Sequence, residues 1–427
     1  MAMSGVRKNF SYLFGILTVA MYFIGLIIIN RGLGFRNAMI IVGALIAYYI
    51  ANVYNVAANR YKLKDMTTVI VINGILMTIT TFSKIFTFYE GIILFGIITI
   101  FQIAFRYIVI MAVVEKERVV FVGENDYTED LLESVKKDGQ YVFVTSLNNT
   151  DMKALGKEIL ELYNTKKFDV LVDFTDKLLR DPKITEKLLQ YKLEGLQYYN
   201  YLEFYETYEN KLPISHLSPK WFLENTGFEI YHNNFNLKAK RLLDLLFALL
   251  IGIFAAPVIV LAAIIVKLES KGPVFFIQER IGEGNKKFNI VKFRSMTTDA
   301  EKDGPQWASK NDNRVTKFGK IMRATRIDEL PQLWNVLRGE MSFVGPRPER
   351  EYFIQQLEKE IPYYNLRHTV KPGLTGWAQV MYPYGASVED AYRKLQYDLY
   401  YIKHHSIPFD VKVLLKTVTI VIFGKGR

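Results

Sequence analysis

Four apolar runs occupy most of the first 114 residues, at positions 11–29, 39–56, 67–81 and 91–114. In lipid a backbone must satisfy its own hydrogen bonds, so runs of this length enter a bilayer only as helices. The third is the weakest of the four. Arg7 and Lys8 precede the first run, Arg60, Lys62 and Lys64 lie between the second and third, and Lys116 and Arg118 follow the fourth. Only Arg31, Arg36 and Lys84 fall in the two remaining loops. The positive-inside rule then places the N-terminus, and the chain after Glu115, in the cytoplasm. The first run is long and has no clear small-x-small cleavage pattern, so it reads as a retained span rather than a signal peptide.

A chain of 427 residues predicts two or three folding units. After the fourth run the periodicity changes. Residues 118–122 read as a buried strand ending at Gly123, 128–137 as a helix, 141–145 as a strand, 152–163 as a helix and 169–174 as a third strand. This alternation predicts a small doubly wound, Rossmann-like α/β domain over residues 116–212. Its first turn, Gly123-Glu124-Asn125-Asp126-Tyr127, lacks the glycine series that lets a backbone approach a pyrophosphate, which argues against dinucleotide binding. Scaffolding, oligomerisation or regulation is the role expected of it, and residues 213–234 read as a linker. The net charge of +11 suits either nucleic acid or anionic lipid and phosphate. The apolar runs, and the lack of a compact basic-aromatic module, favour the second. With no Cys there is no disulfide, thiol nucleophile or Cys-ligated metal, and the five scattered His argue against a zinc site.

The second half of the chain carries chemistry. Gly272-Pro273-Val274-Phe275-Phe276, followed by Gln278, Arg280 and Gly282, reads as a turn into a strand, and Lys292-Phe293-Arg294 as part of the next. Arg grips phosphate through paired N–H groups and Lys as a point charge, although in isolation such a triplet is more often an exposed strand edge. Asp328 and Glu329 stand side by side in Thr325-Arg326-Ile327-Asp328-Glu329-Leu330-Pro331, ahead of a helical pattern that runs to Gly339. Proline is tolerated only in a helix's first turn, so the acidic pair lies at or just inside a helix N-terminus, where N–H groups and the dipole favour phosphate. Ordinary capping would also put acidic residues there. Arg347 is bracketed by Pro346 and Pro348, which restrict its backbone. The glycine-punctuated stretch Pro372-Gly373-Leu374-Thr375-Gly376-Trp377-Ala378-Gln379-Val380 shapes a loop over the site, with Trp377 as a core residue.

In this order the motifs resemble the bacterial sugar transferase family, monotopic polyprenyl-phosphate glycosyl-1-phosphate transferases that start exopolysaccharide, capsule or O-antigen repeat units. The resemblance runs from Phe235 to the C-terminus. It implies that Asp328 and Glu329 are the family's catalytic dyad. Asp328 would attack the β-phosphate of a UDP-sugar, releasing UMP and leaving a phosphosugar that undecaprenyl phosphate takes up. Two anionic reactants must meet, which implies Mg²⁺ at Asp328 and Glu329, with phosphate gripped by Lys292, Arg294, Arg326, Arg347 and Arg280. Arg338 is a further partner for the acidic pair. Glucose, galactose and N-acetylated hexoses all fit as the sugar. The sequence departs from many relatives at Met381-Tyr382-Pro383-Tyr384-Gly385, where they have Asn-Gly-Arg, so contacts of that triplet are not carried over.

Residues 242–266 form a fifth apolar run, about 25 residues long, with Pro257 near its middle. Lys238, Lys240 and Arg241 precede it and Lys267 and Lys271 follow, so its flanks choose no direction. A simple span would put the Asp-Glu pair outside, away from cytosolic nucleotide sugars. A segment that enters, kinks at Pro257 and returns keeps the pair inside. The family has such a re-entrant membrane helix with a proline at its break, and Ala256-Pro257 resembles that position. By length alone a proline-kinked span fits as well. Residues 387–403 have helical spacing, and 409–423 suits either a helix in the interface, with Lys412 and Lys416 near headgroups, or a buried packing helix.

The expected protein is therefore a multi-pass protein of the bacterial inner membrane. It has an N-terminal four-helix transmembrane bundle (1–115), the Rossmann-like α/β domain, and an α/β monotopic catalytic domain (235–427) with a re-entrant membrane helix, facing the cytoplasm. It meets a UDP-sugar, undecaprenyl phosphate and membrane lipids but no nucleic acid, and a homodimer is the oligomer to expect. The competing reading is a catalytically silent membrane scaffold or sensor of polysaccharide assembly. A multi-span transporter is disfavoured, because Arg106 is the only charged residue within the four runs.

Overall fold

A computed structural model describes residues 2–422 except 30, 33, 51–62, 114–115, 139–140, 166, 176, 229–233, 298–299, 301–311, 383–384 and 386. It divides into two compact units, Met1–Glu209 and Asn210–Arg427.

The first unit begins with four helices, α1 (Ala2–Ile28), α2 (Phe35–Ile50), α3 (Leu63–Phe82) and α4 (Phe88–Val113). Among the described residues, Phe88–Ile108 is long and apolar enough to cross a membrane, and Tyr12–Ile28, Phe35–Tyr49 and Thr68–Phe82 are shorter apolar helices. The cations expected to orient the second loop at Arg60 and Lys62 lie outside the described residues. Inside the bundle the Tyr22 and Tyr48 hydroxyls meet at 3.1 Å, and Tyr48 donates to Asn73. Asn73 in turn donates to Thr99 Oγ1 at 2.8 Å and Gln102 Oε1 at 3.1 Å. Such a chain gives each buried polar group a partner on another helix. Hydropathy alone did not reveal it.

Next come β1 (Glu117–Val122), α5 (Thr128–Asp138), β2 (Tyr141–Leu147), α6 (Met152–Asn164), β3 (Val170–Asp173), α7 (Pro182–Glu194), β4 (Gln197–Asn200) and α8 (Tyr201–Glu209). The four strands form one parallel sheet in the order β2-β1-β3-β4. Within β1, Val119-Val120-Phe121-Val122 is the unbroken apolar run that a doubly covered strand requires. Val119 and Phe121 pack with Leu131 and Phe204 on one face, and Val120 and Val122 with Leu155 and Leu188 on the other. α7 and β4 extend the pattern beyond the three strands and two helices expected. The start of α7 carries clear signals, an Asp181 cap accepting from the Lys183 and Ile184 N–H groups and Pro182 in the first turn. At the end of β1, Gly123 has φ +77°, and a Cβ there would lie 2.3 Å from Thr175 Cγ2. Gly123 and Thr175 therefore pack closely just past the C-terminal ends of β1 and β3, the region where doubly wound sheets bind ligands.

The second unit contains α9 (Pro219–Glu224), α10 (Asn234–Glu269), the antiparallel pair β5 (Phe275–Ile281) and β6 (Lys287–Phe293), α11 (Lys317–Thr325), a 3₁₀ turn (Ile327–Gln332) and α12 (Leu333–Arg338). It continues through β7 (Ser342–Val344), α13 (Glu351–Glu360), a second 3₁₀ turn (Tyr364–Thr369), β8 (Gly373–Thr375), α14 (Trp377–Met381), α15 (Val388–Lys403) and α16 (Ile407–Ile422). One core joins Val336, Val344, Phe353, Trp377, Leu399 and Tyr401. Ile214 and Leu217, in the stretch that reads as a linker, are buried in it, as is Leu212, the last residue of the expected α/β domain. Trp377 is 2% exposed, as a core residue should be, and its indole donates to the Asn210 carbonyl at 2.9 Å.

α10 is one continuous helix of 36 residues with Pro257 inside it, not two helices separated by a turn. Residues Asn236–Glu269 are long and apolar enough to cross a membrane. Both ends are tied to the same unit. Arg241 donates to the Val336 and Leu337 carbonyls, and Asp244 accepts from Ser342 Oγ and the Phe343 N–H, each at 3.1 Å. At the far end Glu269 accepts from the Phe318 N–H at 2.8 Å, while Arg294 donates to the Ser270 and Lys271 carbonyls.

Candidate active site

The acidic pair owes its place to two changes of backbone direction. Thr316 caps α11 by accepting from the Gly319 N–H, and the helix stops at Arg326, which takes the left-handed conformation with φ 61°. For a residue with a Cβ this costs about 1 kcal/mol, strain of the kind that collects at functional sites. The chain then enters the 3₁₀ turn with Asp328 and Glu329 in its first turn and Pro331 inside, and runs on into α12, which ends at Gly339 with φ 81°. The expected helix N-terminus is thus a 3₁₀ turn.

Arg347 arrives from another direction. β7 and β8 pair in parallel, and the backbones of Gly345, Gly373 and Gly376 meet so closely that a Cβ on any of them would lie 2.2 Å from backbone atoms of the crossing strand. Only glycine fits there. The crossing delivers Pro346-Arg347-Pro348 beside the 3₁₀ turn, and β6 brings Lys292. Glu329 Oε1 becomes the hub, 3.0 Å from Arg347 Nη2, 3.6 Å from Arg326 Nη1 and 3.7 Å from Lys292 Nζ.

These neighbours divide the two carboxylates. Burial would raise the Glu329 pKa, but Arg347, Lys292 and Arg326 outweigh it and hold the group at about 2. Glu329 is a fixed anion. For Asp328, burial and the adjacent Glu329 charge prevail over the same cations and raise the pKa above the ordinary carboxylate range. Lys292 is brought down to about 8 by burial and by Arg347, against the pull of Glu329. Asp328 Oδ1 is buried and accepts a hydrogen bond from no described residue. A buried oxygen without a donor is costly unless a ligand uses it. No group of three or more acidic or His side chains converges among the described residues. A cation here would rest on Asp328 Oδ1, with Glu329 beside it and substrate oxygens completing the shell, which is how Mg²⁺ is commonly held.

Of the expected site residues, the structure gathers Asp328, Glu329, Lys292, Arg326 and Arg347. Arg280 stands behind them, donating to Glu349 at 2.9 Å and Gln278 at 2.7 Å, where it supports the segment after Pro348. Arg294 is a correction. β6 ends at Phe293, so strand alternation does not carry Arg294 to the side of Lys292. Its guanidinium donates to the carbonyls of Val266, Ser270 and Lys271 and so caps α10. That ties Nη1 and Nη2 to a helix end, where a cation is favourable, while Nε has no hydrogen-bond partner among the described residues. Arg338 pairs with Glu340 at 3.3 Å, not with the acidic pair. The sequence reading missed Arg367, whose buried side chain reaches the Arg347 carbonyl. The adjacent His368 is held near pKa 3, by burial first and then by Arg367, and is neutral.

A profile described as Bacterial sugar transferase matches residues 235–424. Over 183 residues, 42% of this chain and 68% of the relative, the chain is 45% identical to the UDP-glucose:undecaprenyl-phosphate glucose-1-phosphate transferase of Caulobacter vibrioides. Over 198 residues it is 39% identical to the exopolysaccharide production protein PSS of Rhizobium leguminosarum, covering 45% of this chain and 99% of that one. The chain belongs to the bacterial sugar transferase family. Another member, the UDP-N-acetylgalactosamine-undecaprenyl-phosphate N-acetylgalactosaminephosphotransferase of Aeromonas hydrophila, is 42% identical over 234 residues, 55% of this chain and 54% of the relative. The chain therefore spans about half the length of that longer relative. The family match contains the dyad, its three cations and the β7–β8 crossing.

Proposed function

We propose that this sugar transferase moves a sugar-1-phosphate from a UDP-sugar to undecaprenyl phosphate, giving undecaprenyl-diphosphate-sugar and UMP, the first membrane step of a surface polysaccharide. One observation carries the reading: Asp328 presents a buried carboxylate oxygen with no donor among the described residues, next to an anion that holds three cations in place. Asp328 attacks the β-phosphorus, a P–O bond forms to its carboxylate, and the bond to the UMP oxygen breaks. An oxygen of undecaprenyl phosphate then attacks the same phosphorus and releases the carboxylate. Glu329 keeps Arg347, Lys292 and Arg326 converged, and these cations take up the charge that develops on the phosphoryl oxygens. Mg²⁺, when bound at Asp328 and Glu329, supplies further charge neutralisation. Glu329 is too acidic to carry a proton at neutral pH, so its part is electrostatic.

We further propose a membrane arrangement in which α1–α4 cross the bilayer and α10 enters and leaves by one face. The exposed side of α10 carries Leu249, Leu250, Ile253, Phe254, Val260 and Leu261, a surface suited to lipid. A straight helix would hold residues 241 and 270 about 44 Å apart at 1.5 Å per residue. Yet Arg241 is tied to α12, Asn335 of α12 to β6, and Arg294 just beyond β6 to Ser270. That chain of short links supports a helix bent at Pro257 with both ends on one face, and we propose that this face, with the active site, is the cytoplasmic one of the inner membrane. The parallel α/β sheet is an accessory domain in this reading, and the protein works as a homodimer. Cys introduced at Lys238 and at Lys271, in a chain with no native Cys, should both label from the cytoplasmic side only. Labelling of Lys271→Cys from the periplasm alone would overturn the topology.

The reaction is tested with the purified protein, Mg²⁺, undecaprenyl phosphate and a panel of UDP-sugars. UMP release with at least one sugar, lost in Asp328→Asn, is expected. Unchanged release in that variant would remove the proposed nucleophile, and no release from any donor would favour a silent scaffold.

A further inference from the structure

Arg347 touches Glu329 through one guanidinium nitrogen, and its side chain is long and partly exposed. Such a group is useful only if its backbone is held. Pro346 and Pro348 restrict the neighbouring dihedrals, and a residue before proline is kept in the extended region, but within that region its ψ still swings the carbonyl and, with it, the direction of the side chain. The structure supplies the missing restraint. Arg367, in the second 3₁₀ turn, donates from Nη2 to the Arg347 carbonyl at 2.9 Å and to Asp398 Oδ2 at 2.9 Å, and from Nη1 to the Tyr364 hydroxyl at 2.6 Å. Its guanidinium also lies over the Tyr364 ring, 5.1 Å from the centroid. Arg367 is 8% exposed and Asp398, on α15, 2% exposed.

We infer that Arg367, held by Asp398 and Tyr364, is the positioning residue that sets the backbone of Arg347 and so aims its guanidinium at the transferred phosphoryl group. The inference rests on the transferase reading. Arg367 is buried, and both of its terminal nitrogens are engaged, Nη1 by Tyr364 and Nη2 by Asp398 and the Arg347 carbonyl, so its bond to the active-site arm is made through the backbone of Arg347. It acts at the carbonyl on the C-terminal side of Arg347, while the Pro346 carbonyl on the other side accepts from the Gly373 N–H at 2.9 Å. Three residues earlier, the Val344 carbonyl accepts from Lys240 at 3.2 Å and from the Tyr401 hydroxyl at 3.1 Å. The four-residue arm from Val344 to Arg347 is therefore pinned at both ends. A buried ion pair that merely joined the 3₁₀ turn to α15 would need no third bond to an active-site loop.

The test is a cycle on the full-length protein in lipid nanodiscs. Arg367→Met and Asp398→Leu are made together, so that neither charge is left buried alone, a replacement that proteins often tolerate. The pair is placed in wild type and in Arg347→Met. UMP release gives kcat and KM, calorimetry gives Kd for UDP as a probe, and thermal unfolding is followed alongside. Expected is a 30- to 100-fold fall in kcat/KM on the wild-type background, less than threefold when Arg347 is already Met, and the same change in unfolding midpoint on both. Tyr364→Phe, which keeps the ion pair and removes one bond, should lower kcat/KM by three- to tenfold without unfolding the protein. Equal losses on both backgrounds, or no loss on either, would make Arg367 a structural staple and overturn the inference. A wild type that releases no UMP from any donor sinks the transferase reading instead. The UDP cycle then still decides whether Arg367 acts through Arg347, since weaker binding is expected only where Arg347 is present.

Discussion

Replacing Lys292 by Met should make the protein more stable and less active. Burial and the neighbouring Arg347 bring the Lys292 pKa from 10.5 to about 8, with the attraction of Glu329 and Asp328 already counted. A fall of roughly two and a half units, at about 1.4 kcal/mol each, means that holding this charge costs the folded state about 3 kcal/mol at neutral pH. Below pH 8 the lysine is charged in both folded and unfolded protein, and the whole cost is present. Between about pH 8 and 10.5 the folded protein has released the proton and the unfolded chain has not, so stability rises with pH; above that range the cost is gone. Methionine has a similar length and no charge, and should raise the unfolding midpoint at pH 7 by roughly 6–12 °C for a unit of this size. That gain over wild type should shrink as pH climbs past 8. The assay is thermal unfolding in nanodiscs across pH, followed by Trp fluorescence, with UMP release measured in parallel. Activity should move the other way, with kcat/KM down about 100- to 1000-fold, as when one preorganised charge donor is removed from a transition state. A lower midpoint for Lys292→Met at pH 7, or a difference between the proteins that does not change between pH 8 and 10.5, would refute the reasoning.

Lys292→Arg keeps a charge that does not titrate, so the basic limb of kcat/KM, expected near pH 8 in wild type, should move up by more than one unit in a pH–rate profile. Arg294→Leu strips the caps from the end of α10 and should cost about 2–4 kcal/mol of stability. It should leave KM for the UDP-sugar within about twofold per folded enzyme, since Arg294 is not in the site; a large rise in KM would restore it to phosphate binding. Gly373→Ala puts a Cβ 2.2 Å from the Gly345 nitrogen and should lower the unfolding midpoint by more than about 3 kcal/mol corresponds to, with little folded protein recovered. Near-wild-type stability there would mean that the β7–β8 crossing is looser than described.

Much of the candidate site was legible because its residues are adjacent in sequence or bracketed by residues with narrow backbone choices. Asp328 and Glu329 precede a proline allowed only in a first turn, and Arg347 sits between two prolines. Trp377 follows a glycine run whose purpose, a backbone crossing, leaves the indole facing inward. Arg294 misled for a local reason. It stands two residues after Lys292, and alternation would keep the two on one face, but the strand ends between them at Phe293. Arg367 was invisible for a different one. It meets Asp398 and the Arg347 carbonyl across the fold, and no spacing rule links positions 31 and 20 residues apart. In the α/β unit, β1 stood out as a continuous apolar run, whereas β4, Gln197–Asn200, has no fully buried residue to mark it. Apolar length identified α10, but a proline ordinarily marks a break, so one helix running through Pro257 was not legible.

The crossing of β7 and β8 also bears on the order in which the protein matures. Their paired residues, Ser342 with Gly373 and Val344 with Thr375, are about 30 positions apart, and parallel pairing at that separation closes a long loop before any contact rewards it. Lys292, Asp328 and Glu329 are all synthesised before the strand that fixes Arg347. A ribosome stalled before Gly373 would thus carry a dyad with only part of its cationic collar. On the transferase reading, phosphoryl transfer should appear only after the nascent chain has passed the glycine run and α15 has supplied Asp398.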